Sequence, residues 1–142
     1  MKKAVFYLFT TLIFNTMQAQ DFDVENYVWQ KRVLLVFAPD AEHALFKQQM
    51  LSAKENQPGF KERDLVVISI FTTTGFDEKN QAIATEKVKN LRKKYKVSDN
   101  EFKVILLGKD GGEKQSSSQA FDSQQLFGII DAMPMRKREK KD

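Results

Sequence analysis

Two uninterrupted apolar runs constrain the fold of this chain more than any other feature. They cover residues 32–37 (RVLLVF) and 64–71 (DLVVISIF), and one amphipathic segment separates them. A continuous apolar run of this length is typical of a strand that is buried on both faces, as in a parallel sheet. Because a helix between two such strands forms a right-handed crossover, we predict a parallel pair.

The first strand is predicted to end at Pro39, and a helix follows it. Asp40 stands where a carboxylate would cap the first turn of that helix. The apolar side chains of the helix recur at spacings of four and three residues and so share one face: Phe46, Met50 and Ala53. The helix is expected to end near Asn56, before a Pro-Gly pair.

The second half of the chain predicts another helix, a hairpin and a closing helix. The second helix has a basic outer surface, and its apolar face consists of Ala84, Val88, Leu91 and Tyr95. A third strand covers residues 102–107, and the Asp-Gly pair after it favours a tight turn into a return strand near residues 113–117. The closing helix starts near Asp122 and meets Pro134, with apolar positions at Leu126, Phe127, Ile130 and Met133.

This order of elements resembles the core of a thioredoxin-like domain. The expected fold is therefore an α/β thioredoxin-like sandwich, in which helices flank a mixed sheet of about four strands. Residues 36–44 (VFAPDAEHA) resemble the thioredoxin segment in which Ala-Pro is followed by Trp and then Cys-x-x-Cys. The two cysteine positions fall on Ala41 and Ala44, so the resemblance implies the fold and denies the redox activity.

Four further segments are similar to an exported bacterial family, domain of unknown function 4174, the prokaryotic branch of the peroxiredoxin-like DUDES domains. The segments are residues 29–39 (WQKRVLLVFAP), 62–67 (ERDLVV), 107–114 (LGKDGGEK) and 130–136 (IDAMPMR). Together they extend across nearly the whole chain after residue 20. Related domains occur in animal extracellular-matrix and sushi-repeat proteins, so the resemblance implies binding rather than catalysis.

The N-terminus has the charged, apolar, polar order of a secretory signal. Lys2 and Lys3 precede a mostly apolar run over residues 4–14, and a polar segment ends at Ala19. The apolar core of about eleven residues is shorter than the roughly 20 that span a bilayer as a helix. We predict a signal peptide over residues 1–19, a thioredoxin-like domain over 20–135 and a basic tail over 136–142. The product is expected to be periplasmic or secreted, with no transmembrane anchor.

Charge and cysteine content exclude two classes of function. The formal net charge is +4, but the segment 136–142 alone carries +3, in a tail that we expect to be frayed. Residues 21–135 carry about −1, so the charge does not form the basic surface expected for nucleic-acid binding. The chain has no cysteine, which excludes a thiol oxidoreductase or a thiol peroxidase.

Asp40, Glu42 and His43 are the first binding candidates, because they lie where thioredoxin-like proteins keep their chemistry. His43 is the only histidine, and its spacing from Phe46 also fits a residue that borders the buried helix face. Three ligand types within four residues do not have the spacing of a defined metal site. We therefore expect no metal, no cofactor and no catalytic residue here.

Lys109 and Asp110 form a second pair of candidates in a glycine-rich segment, residues 108–112 (GKDGG). A Walker loop needs a Gly-Lys-Ser/Thr sequence that opens a helix, whereas a hairpin follows here. The glycines are explained by the turn, since they tolerate positive φ. Lys109 and Asp110 are expected to be exposed and available to a partner.

Arg32, Arg63 and Arg136 stand at the ends of predicted elements. Arginine at such positions often pairs with a carboxylate, and Asp64 and Asp131 are the mates that the sequence offers. The functional alternative is an anion site, so Arg63 and Arg136 are also binding candidates.

Two hypotheses about function follow from these observations. The preferred one is a non-catalytic module that binds an extracytoplasmic protein or polymer. The rival is a cysteine-independent enzyme, or a protein that binds a small ligand or metal, using the loop between the first strand and the first helix.

Overall fold

The two apolar runs form the centre of one sheet. The computed structural model describes residues 21–142, so the predicted signal peptide lies outside the described residues. Strands β1 (Arg32–Phe37) and β2 (Leu65–Ile70) pair in parallel, in a register that runs from Arg32 opposite Leu65 to Phe37 opposite Ile70. The prediction of a parallel pair is therefore confirmed.

Beyond β2 the sheet continues into a part that the sequence did not predict. Strands β3 (Gly75–Phe76) and β4 (Ala82–Ile83) have two residues each, and both pairings are antiparallel. The expected sheet of about four strands is thus a six-stranded sheet. Segments this short have no periodicity that a sequence pattern could reveal, and pairing alone defines them.

The predicted hairpin adds the remaining two strands on the other side of β1. Strand β5 (Lys103–Leu107) runs antiparallel to β1, and β6 (Glu113–Ser117) pairs with β5. The order across the sheet is β4-β3-β2-β1-β5-β6. Gly111 has a φ of 79° in the connecting turn, which explains why glycine occupies that position.

Helices cover both faces of this sheet in the described part of the chain. They are α1 (Ala44–Glu55), α2 (Gln57–Glu62), α3 (Thr85–Lys94), α4 (Ser123–Asp131) and α5 (Pro134–Glu139), preceded by a short 3-10 turn (Val24–Tyr27). Leu34 and Val36 of β1 pack with α1, α2 and α4, whereas Leu35 and Phe37 pack with α3 and the 3-10 turn. The result is the predicted α/β sandwich. Within residues 21–142, no helix has the length and apolar character needed to cross a bilayer.

The start of α1 differs from the prediction. His43, not Asp40, occupies the N-cap, and its side chain makes no capping hydrogen bond. The Asp40 carboxylate instead accepts a hydrogen bond from the backbone N–H of Glu42 at 2.9 Å. Asp40 closes a local turn two residues further on, and this turn delays the helix to Ala44.

The expectation of a frayed basic tail is also wrong. Pro134 opens α5, a position that suits its fixed φ, and the helix extends to Glu139. Arg136 is only 4% exposed. The ordered domain therefore continues beyond residue 135, because Arg136 and Glu139 of the expected tail form ion pairs within the fold.

Candidate functional site

The predicted site residues lie at opposite ends of the sheet. Asp40, Glu42 and His43 follow the carboxyl end of β1, which we call the upper end. Arg63 precedes the amino end of β2, and Lys109 follows the carboxyl end of the antiparallel β5, so both lie at the lower end. The structure therefore does not unite the seven candidates into one site.

At the upper end the two carboxylates do not converge. Asp40 is occupied by the turn to Glu42, and Glu42 forms an ion pair with Lys47 on the exposed face of α1. Among residues 21–142, no group of three or more histidine, cysteine or acidic side chains is arranged to hold a metal ion. These two carboxylates have local partners and do not build a shared site.

His43 packs against Phe102 at this end. The two rings are parallel, with an interplanar angle of 2° and centroids 5.6 Å apart. His43 Nδ1 is buried and has no hydrogen-bond partner among the described residues. Ala41 and Ala44, at the positions of the redox cysteines, are both exposed. The ring therefore borders the core, as its spacing from the buried helix face suggested.

Arg92 is an upper-end residue that sequence reasoning missed. It is 4% exposed, and it donates hydrogen bonds to the carbonyls of Ala38 at 2.6 Å, Phe71 at 2.7 Å and Ser98 at 2.7 Å. Burial lowers the pKa of this guanidinium. Arg92 lies four residues after Val88, on the same helix face, and that spacing was the available signal. Its role is to join three loop carbonyls beside the ends of β1 and β2.

The lower end contains a network of ion pairs between largely buried basic side chains and more exposed carboxylates. Arg63 donates two hydrogen bonds to Asp131, at 3.1 and 2.8 Å, and its guanidinium lies 4.1 Å from the centroid of the Phe127 ring. Gly59 permits the close approach of α2 to α4, since a Cβ there would lie 2.5 Å from the Phe127 ring. Asp131, one of the two possible mates that the sequence offered, is thus the partner of Arg63.

Lys109 belongs to the same network, so the expectation that it is exposed is wrong. Its side chain is 11% exposed, and Nζ lies 2.9 Å from Asp64 and 2.7 Å from Glu139. Burial alone would lower the pKa of Lys109, but hydrogen bonds from Nζ to Glu139 and Asp64 raise it overall. Asp110 remains at the surface of the turn, where it pairs with Lys114 at 2.7 Å.

Arg136 completes the network from α5. It pairs with Asp131 at 3.1 Å and with Glu62 at 2.5 Å. Burial alone raises the pKa of Asp131, but hydrogen bonds from Arg63 and Arg136 outweigh it and lower the pKa to about 2. Each of these arginines has a carboxylate partner, so the arrangement favours the structural interpretation over an open anion site.

Trp29 is the second residue that sequence reasoning missed. Its side chain is 69% exposed, its φ is 66°, and its backbone N–H donates to the Lys109 carbonyl at 2.5 Å. Positive φ is an outlier for a bulky residue. Neither the strain nor the exposure could be read from the sequence, because both depend on where the β5–β6 turn holds the backbone.

Residues 23–139 match the family described as domain of unknown function (DUF4174). The chain belongs to this family. The match includes α5, so the DUF4174 domain and the ordered fold both extend to Glu139.

Curated relatives of this DUF4174 domain are much longer proteins. Sushi repeat-containing protein SRPX2 of Xenopus laevis is 19% identical over 119 residues, which is 82% of this chain and 26% of that protein. Coiled-coil domain-containing protein 80 of Danio rerio is 22% identical over 136 residues, or 82% of this chain and 16% of that protein. The DUF4174 chain thus spans about a quarter or less of the length of these relatives.

Solved structures confirm the thioredoxin-like fold. The reduced 2-Cys peroxiredoxin of Plasmodium vivax superposes with a TM-score of 0.62 at 16% identity, over 82% of this chain and 84% of that chain. The mitochondrial 2-Cys peroxiredoxin of Plasmodium falciparum gives 0.61 at 14% identity, over 85% of each chain. At this identity the likeness concerns the fold, and this DUF4174 chain has no cysteine.

Proposed function

We propose that this domain is a non-catalytic interaction module that holds a protein or polymer partner outside the cytoplasm, with Trp29 as a central contact. The observation that carries the proposal is the exposed indole of Trp29 on a left-handed backbone. This contact lies at the lower end of the sheet, away from the position of the redox cysteines.

The energetics of Trp29 support a binding role. A left-handed conformation costs a bulky L-residue about 1–2 kcal/mol, and such strain persists only where the surrounding structure imposes it. An exposed indole also forgoes the stabilisation that burial would give it. Tryptophan is among the residues most enriched at the energetic centres of protein interfaces. A partner that covers the ring would recover the apolar burial that the free domain lacks.

Two further observations favour a module over an enzyme. The two carboxylates at the upper end are occupied locally, Asp40 by its turn and Glu42 by its ion pair with Lys47, and the chain lacks a thiol. In addition, the sushi repeat-containing relative contains a matching segment that makes up about a quarter of its length, as a module within a larger protein would.

Export is part of the same proposal. It rests on the charged, apolar, polar order of residues 1–19, which predicts a cleaved signal peptide. The sequence motifs also support a bacterial origin and membership of the DUDES-type branch. The acting form would then be a periplasmic or secreted domain.

The proposal is tested by affinity capture from the cell envelope of the native host, with the chain from residue 20 onward as bait. Trp29→Ala removes the proposed contact, and Leu51→Ala is its matched control. Leu51 is the other large apolar side chain that is strongly exposed in the described range, at 55%, and it lies on a regular helix.

We expect the unaltered domain and Leu51→Ala to retain the same macromolecular partner, and Trp29→Ala to retain at least about tenfold less, as for an interface hot spot. If both variants retain the partner equally, Trp29 is not part of the interface. If nothing is retained, while a small molecule or metal raises the melting temperature and His43→Ala abolishes that rise, the domain is a ligand-binding protein instead.

A further inference from the structure

Helix α5 presents unpaired cations on its outer surface. Arg136 and Glu139 face the rest of the domain and form the ion pairs described above. Lys137, Arg138 and Lys141 are exposed, and none has a carboxylate within 4.0 Å among residues 21–142. Because residues three and four positions apart are neighbours on a helix, these three cations share one face. We call them the α5 cations.

The ion-pair network beneath the α5 cations does not neutralise them. It joins six cations to four carboxylates, so it has an excess of positive charge itself. The cations are Lys31, Arg32, Arg63, Lys109, Arg136 and Lys140, and the carboxylates are Glu62, Asp64, Asp131 and Glu139. With the α5 cations and Asp142 included, nine cations stand against five carboxylates around α5.

The positive charge of the domain is therefore concentrated at the lower end. Residues 21–142 carry a net charge of +2, because the formal +4 of the chain includes Lys2 and Lys3. The excess of four around α5 leaves the rest of the described chain with a net negative charge. A field of one sign at one end of a domain attracts a partner of the opposite sign.

Trp29 stands beside this charged surface. Its backbone N–H donates to the Lys109 carbonyl, and Nζ of the same lysine lies 2.7 Å from Glu139 of α5. A single residue thus contacts both the segment that carries the exposed indole and the helix that carries the α5 cations. A ligand that extends along the lower end of the sheet can contact the indole and the cations together.

The apolar part of this surface is one flat ring. Among residues 21–142, the strongly exposed large apolar side chains are Trp29 and Leu51, and Leu51 lies on α1. The core of a protein–protein interface contains several aromatic and aliphatic side chains. A sugar needs only one, because the C–H groups on one face of a pyranose ring pack against an indole. Carboxylates along an acidic polysaccharide would pair with lysine and arginine. One exposed indole beside unpaired cations therefore favours such a polymer over a protein.

Two other anionic partners fit this surface less well. Single-stranded nucleic acids stack successive bases on several aromatic side chains, whereas Trp29 is the one strongly exposed aromatic residue in the described range. A lipid interface accepts indoles without holding them at one position. The backbone of Trp29 is instead fixed by its hydrogen bond to Lys109, as a platform for stacking requires.

We propose that the lower end of the domain binds an acidic polysaccharide, with a sugar ring stacked on Trp29 and carboxylates of the polymer paired with the α5 cations. The inference rests on the proposed function as a binding module, and it names the chemical class of the partner.

The test uses fluorescence anisotropy with the chain from residue 20 onward and a labelled oligogalacturonate. The matched ligand is the same oligomer with its carboxylates methyl-esterified, which keeps the sugar rings and loses the charges. An oligonucleotide of single-stranded DNA and vesicles that contain phosphatidylglycerol represent the two other anionic partners. Each measurement is made over a series of salt concentrations.

The protein variants remove the cations and the ring separately. Lys137→Gln/Arg138→Gln/Lys141→Gln removes the α5 cations, and circular dichroism verifies that the domain stays folded. The matched control removes three charges from exposed positions on α3 and just after it, Lys89→Gln/Lys93→Gln/Lys96→Gln. Trp29→Ala removes the ring, and Trp29→Phe replaces it with a smaller flat ring.

We expect the oligogalacturonate to bind, and its methyl ester to bind at least about tenfold more weakly, because the ester has no charge to pair. Removal of the α5 cations should weaken binding by at least about tenfold and make it less dependent on salt, whereas the α3 control should bind within about twofold of the unaltered domain. Trp29→Ala should weaken binding by about tenfold, and Trp29→Phe by less than about threefold.

Equal binding of the oligogalacturonate and its ester, or unchanged binding after removal of the α5 cations or of the Trp29 ring, would overturn the inference. Tighter binding of the oligonucleotide or the vesicles, or no binding of the oligogalacturonate, would overturn it as well. The proposed function is judged separately by the capture experiment. A protein partner retained through Trp29, by a domain that does not bind the oligogalacturonate, would mean that only the class of partner was assigned wrongly.

Discussion

Arg32 and Glu139 are joined although 107 positions separate them in the chain. Each terminal nitrogen of Arg32 lies 3.2 Å from one carboxylate oxygen of Glu139. Arg32 opens the central strand β1 and is 1% exposed, whereas Glu139 is the last residue of α5. The C-terminal helix therefore supplies the counter-charge for a cation that is buried at the start of the sheet.

The first prediction concerns this pair. Glu139→Gln leaves Arg32 buried without an anion, and it also removes a partner of Lys109. Removing one partner of a buried ion pair costs about 3–5 kcal/mol, and we expect about 2–4 kcal/mol here because Glu139 is partly exposed. The measurement is the free energy of unfolding from urea denaturation at neutral pH.

Glu55→Gln is the matched control for this measurement. Glu55 is exposed at the end of α1 and forms no ion pair within the described chain. Its substitution should change the free energy of unfolding by less than about 0.5 kcal/mol. If Glu139→Gln changes the free energy of unfolding as little as Glu55→Gln does, the ion pair of Glu139 with Arg32 does not stabilise the sheet.

The second prediction is a loss of stability in acid that depends on Asp131. Its folded pKa of about 2 lies below the ordinary value of 3.8, because the hydrogen bonds from Arg63 and Arg136 outweigh the effect of burial. The unfolded chain then binds the proton more tightly than the folded chain. This contribution to stability is full above about pH 4 and is lost as the pH falls towards about 2.

Asp131→Asn should remove this pH dependence along with the charge. We expect the stability of the unaltered domain to fall by about 1–2 kcal/mol more than that of the variant between about pH 5 and 2, after allowance for solvent screening. Urea midpoints across this range provide the comparison. Parallel pH profiles for the two proteins would show that the ion pairs of Asp131 contribute nothing to folding. The pKa of Glu139 is lowered as well, so acid sensitivity should remain in part.

The elements that could be predicted from the sequence are those with strong local patterns. Strands β1 and β2 can be recognised by their continuous apolar runs, because burial on both faces of the sheet restricts the residue type. The turn before β6 can be recognised by its Asp-Gly pair, because the turn geometry also restricts the residue type. The start of α1 could not be predicted in this way. Asp40 suits both an N-cap and a local turn, and only the folded chain decides between them.

The candidate site also has one part that could be predicted from the sequence and another that could not. An ion pair between Asp131 and one of the arginines was available from charge and position, but only the structure shows that Arg63 and Arg136 both pair with it. The burial of Lys109 was not, because it depends on α5 bringing Glu139 to the hairpin from a distant part of the chain. The left-handed backbone of Trp29 has no signature in residue type at all, since tryptophan is a poor choice for that conformation.

The third prediction separates strain from binding at Trp29. Trp29→Gly and Trp29→Ala both remove the indole, but only glycine adopts a φ of 66° without steric cost. We expect the glycine variant to be more stable than the alanine variant by about 1 kcal/mol, and both to lose the captured partner equally. Urea denaturation gives the stability difference. An alanine variant at least as stable as the glycine variant would mean that the backbone at this position is not strained.

The fourth prediction concerns His43, whose ring is stacked on Phe102 and whose buried Nδ1 has no partner in the described chain. A buried polar atom without a partner costs free energy, so an apolar ring of similar shape should be tolerated or preferred. We expect His43→Phe to keep or raise the melting temperature and to leave partner capture unchanged. His43→Asn, which retains a polar group but loses the ring stacking, should lower the melting temperature. If His43→Phe instead lowers the melting temperature, or abolishes binding of the partner, the imidazole has a polar role at the upper end. That result would support the alternative hypothesis, in which this loop belongs to an enzyme or a ligand-binding protein.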